Sequence, residues 1–404
     1  MTSTARAGLR GLSPALIPLG VMFLAVGMST AVVLPFLALF LSTDVHAGPA
    51  RVTVFLVAAP AAGVLLTTLV GRLSDRGPYR RRILVGAALA GVAGTAATAF
   101  VRDYWVLLAL AVTATALSGA LFPQTFAYAR QVLERDSPGH AALGISTMRT
   151  VFSLAWVGGP ALAALLLDVG GFRLLYGVAA ALYAVAALVA ALVLGNVATP
   201  RPEAPPDVPG DAAAPALPRL LLPLTLAAFV LLQIPMTLAV QALPLFIRED
   251  LHRDPSAAGL VLGLCAALEI PLMLGLGALT TRFRLRTLIL AGAVAGVAYY
   301  AVALSTPSLW ILVAAQPVNA VFISAVSGVG ISYVQDLMPG RPGHATTLFT
   351  NTFPIGAAIA GPLLGVAAHF GYRWAYGLST ALCGLGLLLL LAPGRHRPAR
   401  PAAP

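Results

Sequence analysis

Two charged residues, Arg149 and Glu269, lie within long apolar stretches of the sequence. A charge at the middle of a bilayer is costly, so Glu269 is expected to face a cavity or a partner, or to carry a proton. A carboxyl group that exists in charged and neutral forms is what proton coupling requires, and we predict this role for Glu269. Arg149 stays charged at any relevant pH. We predict that it belongs to the same coupling site. The alternatives are contact with a hydroxyl group of a ligand, a structural ion pair with Glu269, or a position at the membrane surface.

Amide side chains and one tryptophan add neutral polar groups and a flat apolar surface to these stretches. Such groups suit a ligand that has several hydroxyl groups, apolar faces and little net charge. Each amide could instead form a hydrogen bond between helices, which is the commoner role of membrane amides, so about half are expected to contact a ligand. The candidates are Gln124, Trp156, Gln233, Gln241, Gln316 and Asn319.

Other reactive residue types show no catalytic or metal-binding pattern. The pair Tyr299-Tyr300 is expected to face a neighbouring helix, and Cys265 and Cys383 are expected to be buried as small apolar residues. The six histidines are scattered without the spacing of metal ligands. There is no Ser-His or Cys-His arrangement and no nucleotide-binding loop. The sequence therefore predicts neither a metal, nor a cofactor, nor an enzyme.

The composition explains where such residues must lie. Only 10% of the 404 residues are charged, 59% are hydrophobic and the mean hydropathy is +0.90. Soluble domains carry about 25% charged residues. These values exclude a soluble globular enzyme, a disordered chain and a nucleic-acid-binding domain, although the net charge is +11.

Apolar runs long enough to cross a bilayer recur along the whole chain. A membrane helix needs roughly 20 apolar residues. We find twelve such runs and predict an all-α membrane protein with twelve transmembrane helices. The predicted limits are 14–41, 52–73, 82–101, 105–129, 146–169, 174–195, 220–247, 256–280, 287–305, 308–335, 345–369 and 372–392.

Arginine distribution predicts the orientation of these helices. With the N-terminus inside, eighteen arginines and seven acids fall on the inner side, and six of each fall on the outer side. Cytoplasmic loops of membrane proteins carry the excess of basic residues. We therefore expect a multi-pass protein of the plasma membrane with both termini in the cytoplasm.

A polar, proline-rich segment divides the twelve runs into two sets of six. Residues 197–219 form a predicted cytoplasmic linker between an N-terminal bundle, 14–196, and a C-terminal bundle, 220–392. Short cytoplasmic segments, 1–13 and 393–404, are predicted at the two ends.

The two sets of six resemble each other in sequence. GFRLLYG at 171–177 matches GYRWAYG at 371–377, PGHA at 138–141 matches PGHA at 342–345, and the offset drifts smoothly along the chain. Since six is an even number, the halves are expected to be parallel repeats related by an axis along the membrane normal. Asn351 is the repeat equivalent of Arg149, and this symmetry makes Asn351 a further candidate for ligand binding.

The loop after the second run, GRLSDRGPYRRR at 71–82, resembles the signature loop of the major facilitator superfamily. The usual glycine after D-R comes one place early here, at Gly77. The resemblance implies that Asp75 and Arg76 are gating residues, which latch the loop to neighbouring helix ends in one conformation. Thr281 stands at the place of Asp75 in the second half, so that latch is expected to be degenerate. Asp336 is a third candidate for gating, and a simple interfacial acid is the alternative.

Several further segments are similar to the bacterial sugar efflux transporter family within that superfamily. The resemblance covers most of the chain and is carried by Arg149 with SLAWV at 153–157, by LEIP at 268–271, by QDLMPG at 335–340 and by ATTL with TNT between 345 and 352. It implies a secondary active exporter of sugars or glycosides that works by alternating access, with protons as the exchanged ion. Its expected partners are the sugar, protons and the lipid bilayer, with no nucleic acid, and a monomer is the default in the superfamily.

One departure and two alternatives remain open. Many proton antiporters of the superfamily carry an arginine in the fourth helix where this chain has Thr115. Either Arg149 and Glu269 take over the role of that arginine, or the proton is coupled in a different way, or the protein is a facilitator without proton coupling. The nearest alternative is an exporter of drugs or other amphipathic compounds on the same fold. A receptor that has lost transport is a third possibility, and no large soluble domain supports it.

Overall fold

The computed structural model describes residues 16–75, 77, 79–136, 141–195, 220–338 and 342–391, and every regular element in these ranges is a helix. The predicted segments 1–13, 197–219 and 393–404 lie outside the described residues. The first half contains α1 (Ile17–Thr43), α2 (Pro49–Asp75), α3 (Arg80–Phe100), α4 (Tyr104–Leu133), and the stretch Ala141–Leu192, which holds α5 and α6.

Gly171 separates α5 from α6 within this long helical stretch. Its backbone has φ 62° and ψ −161°, which is not helical and which residues other than glycine rarely adopt. The break gives α5 (141–170) and α6 (172–192). Because eleven continuous apolar helices become twelve at this glycine, the predicted twelve-helix fold is confirmed.

The second half has the same plan. It contains α7 (Leu221–Glu249), α8 (Ala257–Leu279), α9 (Leu285–Ser305), α10 (309–337), α11 (Pro342–Phe370) and α12 (Arg373–Leu391). Gly371, with φ 108°, separates the last two helices as Gly171 separates α5 from α6. The fourth helix of each half also contains a π-helical turn, at Ala111–Thr115 and at Ser324–Val329.

An arginine clamp closes one end of the first half. Arg102 lies 3.4 Å from Asp44, and its guanidinium stacks 5.2 Å from the ring of Phe40. We refer to this end of the bundle, where α1 ends and α2 begins, as the outer end, and to the opposite end as the inner end.

A second clamp lies at the outer end of the second half. Arg373 lies 3.5 Å from Asp250 and stacks 5.4 Å from the ring of Phe246. Asp250 and Phe246 are the repeat equivalents of Asp44 and Phe40 in the first clamp. The arginine of the second clamp comes from a different loop. The arginine of this clamp also donates to the carbonyl oxygens of Leu304, at 2.7 Å, and Thr306, at 2.9 Å, so it joins α12 to the end of α9.

Removing this second clamp is expected to destabilise the fold. Arg373→Ala leaves a largely buried carboxylate and two carbonyl groups without their donor, which costs about 2 kcal/mol. Thermal unfolding in detergent, followed by circular dichroism, should show a lower Tm for Arg373→Ala and a partial recovery for Arg373→Lys. Arg253→Ala, on the neighbouring loop where the side chain is exposed, is the matched control. Equal Tm values for Arg373→Ala and the control would contradict the role of the clamp.

The two halves pack tightly against each other near the outer end. A Cβ atom placed on Gly259 of α8 would overlap the carbonyl oxygen of Pro160 in α5. A Cβ atom placed on Gly361 of α11 would lie 3.1 Å from Leu56 of α2. Glycine at these positions therefore allows the backbones of the two halves to approach closely.

The contacts between these helices differ at the inner end. Cβ atoms placed on Gly275 of α8 and Gly71 of α2 would have no heavy atom of the described residues within 4 Å. At these two positions, α8 and α2 therefore lack the close contact with the other half that Gly259 and Gly361 mark near the outer end.

Candidate functional site

A cavity of about 100 Å³ lies between the halves, with most of its wall in the second half. Among the described lining residues, the first half contributes Trp156 of α5, and the rest come from α7, α8, α9, α10 and α12. The remaining lining residues are Met236, Ala239, Val240, Leu243, Val261, Leu262, Cys265, Ala266, Glu269, Tyr299, Tyr300, Gln316, Asn319, Ile323 and Tyr376.

Four of the predicted site residues meet in this cavity. Trp156 approaches from α5, Glu269 from α8, and Gln316 and Asn319 from α10. Among the described residues that line the cavity, Glu269 is the only carboxylic acid, and no arginine lines it. The cavity therefore holds one chargeable carboxyl group among amides, aromatic rings and aliphatic side chains.

Hydrogen bonds connect this carboxyl group to the amides. The thiol of Cys265 donates to Glu269 Oε1 at 3.5 Å, and its sulfur accepts from Asn319 Nδ2 at 3.3 Å. Asn319 Nδ2 also donates to Gln316 Oε1 at 3.2 Å. Gln316 Nε2 then donates to the hydroxyl group of Tyr299 at 3.1 Å. One continuous network thus runs across α8, α10 and α9.

Helix geometry explains why these residues share the cavity. Cys265 and Glu269 are four residues apart on α8, and Gln316 and Asn319 are three apart on α10, and both spacings place side chains on one helix face. A new helical segment begins at Gln316, after the turn at Ala315, and Pro317 lies in its first turn. A π-helical turn follows at Ser324–Val329, and such turns are often found at functional sites. The hydroxyl group of Ser324 donates to the backbone oxygen of Glu269 at 3.4 Å.

Aromatic rings form the remaining wall. Tyr299 and Tyr300 face neighbouring helices as expected, and both also line the cavity, with ring centroids 5.0 Å apart. Tyr300 does also pack edge-on against Phe322 of α10, at 5.8 Å. Tyr376 joins them from α12, and no pattern in the sequence singled it out.

Two polar atoms at the cavity are buried without a hydrogen-bond partner among the described residues. They are the side-chain oxygen of Asn319 and the hydroxyl group of Tyr376. A buried polar atom without a partner costs about 1–3 kcal/mol. Both atoms can accept a hydrogen bond from a ligand hydroxyl group, and such a bond would remove this cost.

The other predicted amides do not line the cavity. Gln233 and Gln241 are buried in α7, where Gln233 lies against Gly356 of α11, and Gln124 is buried in α4. The side-chain oxygens of these three glutamines have no described partner. Asn351 is exposed on α11. Their predicted contact with a ligand stays a prediction.

The predicted charged residues outside the cavity are only partly described. Asp75 ends α2, but its side chain, the whole of Arg76 and the side chain of Arg149 lie outside the described residues. Asp336 is exposed at the inner end of α10 and lines a groove of about 800 Å³ together with Arg282. This position fits both alternatives for Asp336, a gating residue and an interfacial acid.

The fold matches solved membrane transporters. The nucleoside transporter NupG superposes with a TM-score of 0.72 at 13% sequence identity, covering 94% of this chain and 98% of that one. An inward-facing bacterial homologue of the human lysosomal transporter Spinster superposes with a TM-score of 0.74 at 14% identity, covering 94% and 97%. At such low identity the likeness concerns the fold alone.

Sequence comparison places the chain more closely. The profile of the Major Facilitator Superfamily matches residues 19–240 and 224–404. The chain is 35% identical to sugar efflux transporter A of Dickeya chrysanthemi, covering 87% of each chain. It is 34% identical to a putative sugar efflux transporter of Deinococcus radiodurans, covering 89% of this chain and 92% of the relative. The chain is thus a multi-pass membrane transporter and not an enzyme, and it belongs to the bacterial sugar efflux transporter family of the Major Facilitator Superfamily.

Proposed function

We propose that this protein exports sugars or glycosides across the plasma membrane by alternating access, in exchange for protons. The observation that carries the proposal is the cavity between the halves, where Glu269 is connected by hydrogen bonds to the amides of Asn319 and Gln316. Two relatives that align with most of this chain are named a sugar efflux transporter and a putative sugar efflux transporter.

The chemistry of the cavity suits a sugar. Pyranose rings present several hydroxyl groups and apolar C–H faces, and a matching site needs a few directed polar groups on an apolar wall. Asn319 and Tyr376 offer unpaired polar atoms, and Trp156 offers a flat apolar surface from the opposite half. A sugar bound here would contact both halves.

Contact with both halves is what alternating access requires. The cavity of about 100 Å³ is smaller than ordinary small-molecule pockets, which measure about 300–1,000 Å³. The helices around it must therefore separate further when a sugar enters. The excess of arginine at the inner side supports a cytoplasmic inner end and cytoplasmic termini, and we propose that sugar enters from this side.

Glu269 supports the proton-coupled part of the proposal. It is the one carboxyl group among the described residues that line the cavity, and its position between the halves lets its charge affect the contact between them. We also propose Arg149 as the second coupling residue. Asp75, Arg76 and Asp336 are the proposed gating residues.

Exchange across a membrane tests the substrate class separately from the coupling. Proteoliposomes loaded with unlabelled lactose, glucose or a thiogalactoside should take up the labelled form of the same sugar without any pH gradient. Uptake above that of protein-free vesicles for at least one of the three supports a sugar transporter. No exchange of any of them would contradict the proposed substrate class.

Trp156→Ala is expected to weaken sugar binding by about tenfold or more. The indole is the only described lining residue from the first half. We expect its loss to cost about 1–3 kcal/mol, as the loss of an aromatic side chain that stacks on a nucleic-acid base does. The KM of sugar exchange should rise for Trp156→Ala and less for Trp156→Phe. Trp310→Ala, where the indole is 69% exposed at the start of α10, is the control. An unchanged KM for Trp156→Ala would place the sugar elsewhere.

A second candidate is an exporter of amphipathic compounds, because aromatic residues outnumber amides in the cavity wall. The described wall contains four aromatic residues and two amides. The aromatic residues are Trp156, Tyr299, Tyr300 and Tyr376, and the amides are Gln316 and Asn319. The exchange assay separates the two functions when a panel of amphipathic drugs is added. Competition by drugs together with absence of sugar exchange would favour this second candidate.

A further inference from the structure

Cys265 occupies the junction between the carboxyl group and the amides. Its side chain is 4% exposed, and its sulfur contacts Glu269 on the same helix and Asn319 on α10. Among the described hydrogen bonds, the side chain of Glu269 reaches the amides only through this thiol. A residue expected to be a small buried apolar group is therefore the link of the network.

We propose that Cys265 is a positioning residue that transmits the protonation state of Glu269 to the sugar-binding amide of Asn319. This inference rests on the proposed function, because it assumes that a sugar binds at Asn319.

We infer that this arrangement holds when Glu269 is charged. The carboxylate accepts from the thiol, and a thiol that donates in this way becomes a better acceptor for the amide of Asn319, because hydrogen bonds in a chain strengthen one another. With Nδ2 held by Cys265 and Gln316, the unpaired Oδ1 of Asn319 has a fixed direction. A fixed acceptor binds a sugar hydroxyl group at a lower entropic cost.

A proton on Glu269 reverses the first bond of the chain. The neutral carboxyl group donates its new hydrogen to the sulfur, so the thiol loses its acceptor and the sulfur now accepts from two donors. The hydrogen bond from Asn319 to the sulfur weakens, and the amide is then held mainly by Gln316, so its direction is less fixed. Sugar affinity is therefore higher when Glu269 is charged, and by reciprocity bound sugar opposes protonation, which is the antagonism that an exchanger needs.

Among the described residues that line the cavity, Glu269 is the most acidic group. The described titratable groups that face it from other helices are Tyr299 and Tyr300 of α9 and Tyr376 of α12, and tyrosine and cysteine ionise at higher pH than a carboxylic acid. The described lining residues of α5, α7 and α10 carry no titratable side chain.

Calorimetric titration of the full-length protein in lipid nanodiscs with lactose, between pH 5 and pH 8, tests the inference. The wild-type protein should bind lactose about fivefold or more tightly at the upper pH, which is the size of a typical coupling between two sites. Cys265→Ala should bind with an affinity that changes less than about twofold over this range, by the same argument. Cys265→Ser, which keeps a donor and an acceptor at this position, should restore the pH dependence.

The control is Cys383→Ala, which removes the other buried cysteine, on α12, and should behave like the wild type. If the alanine variant of Cys265 does not purify, Cys265→Val fills the same space without a hydrogen bond and takes its place. A wild-type pH profile in Cys265→Ala overturns the inference and leaves the proposed function intact. A wild-type affinity that does not change with pH overturns the inference and the proton coupling together. Absence of lactose binding by the wild-type protein, with exchange of no sugar, overturns both the inference and the proposed function.

Discussion

Glu269→Gln is expected to abolish sugar accumulation driven by a pH gradient while sugar-for-sugar exchange continues. Glutamine keeps the size and the polarity of the side chain but cannot take up or release a proton. A gradient of one pH unit supplies about 1.4 kcal/mol per proton, which supports about tenfold accumulation at a stoichiometry of one proton per sugar. In the variant, the sugar should only equilibrate across the membrane.

Proteoliposomes with an acidic lumen measure this effect directly, because protons leaving the lumen drive sugar into it. The control is Glu249→Gln, in which the altered acid is exposed at the outer end of α7 and does not line the cavity. Gradient-driven accumulation that survives Glu269→Gln would show that another group carries the proton. Loss of both accumulation and exchange would assign Glu269 to sugar binding or folding instead of coupling.

Gly259→Leu is expected to prevent the outer end from closing and so to stop transport. Any side chain at this position meets the backbone of Pro160 on the other half, and backbone cannot move aside as a flexible side chain can. The variant should therefore populate a conformation in which α5 and α8 stand apart at the outer end. Sugar exchange should fall to the level of protein-free vesicles.

Spin labels at Thr43 and Ser256 report this change, because these residues lie on opposite halves and line one surface groove at the outer end. The distance between the labels, measured by double electron–electron resonance, should be longer in Gly259→Leu than in the wild type. Gly275→Leu, on the same helix but with no described heavy atom near the added Cβ, is the matched control and should keep both distance and activity. An unchanged distance in Gly259→Leu would mean that the α5–α8 contact does not limit closure.

The fold was largely predictable because its signals are local or repeated. Twelve apolar runs of sufficient length have few alternatives in a bilayer, since backbone polar groups must be satisfied within each helix. The matched motifs around Gly171 and Gly371 predicted the duplication, and both glycines take positive φ between the last two helices of their half. The helix limits differ from the predicted ones by several residues, as at α5, which begins at 141 instead of 146.

The site was less predictable because membrane helices are apolar on every side. Polarity alone predicted Glu269, Gln316 and Asn319 as site residues, and these line the cavity. It equally predicted Gln233 and Gln241, which do not line it. Which face of a helix meets the cavity depends on kinks and on contacts between the halves, and a single sequence does not record these. A signal for Cys265 did exist, since it lies one helical turn from Glu269, but cysteine in an apolar run is ordinarily a packing residue.

Simultaneous recording of lactose entry and luminal pH in wild-type proteoliposomes with an acidic lumen tests the central claim most directly. The proposed exchange predicts that lactose accumulates above its external concentration while the lumen becomes more alkaline, and that a protonophore abolishes the accumulation. Lactose entry that stops at the external concentration, with no lactose-dependent change in luminal pH, would contradict proton-coupled export through the cavity of Glu269 and Asn319.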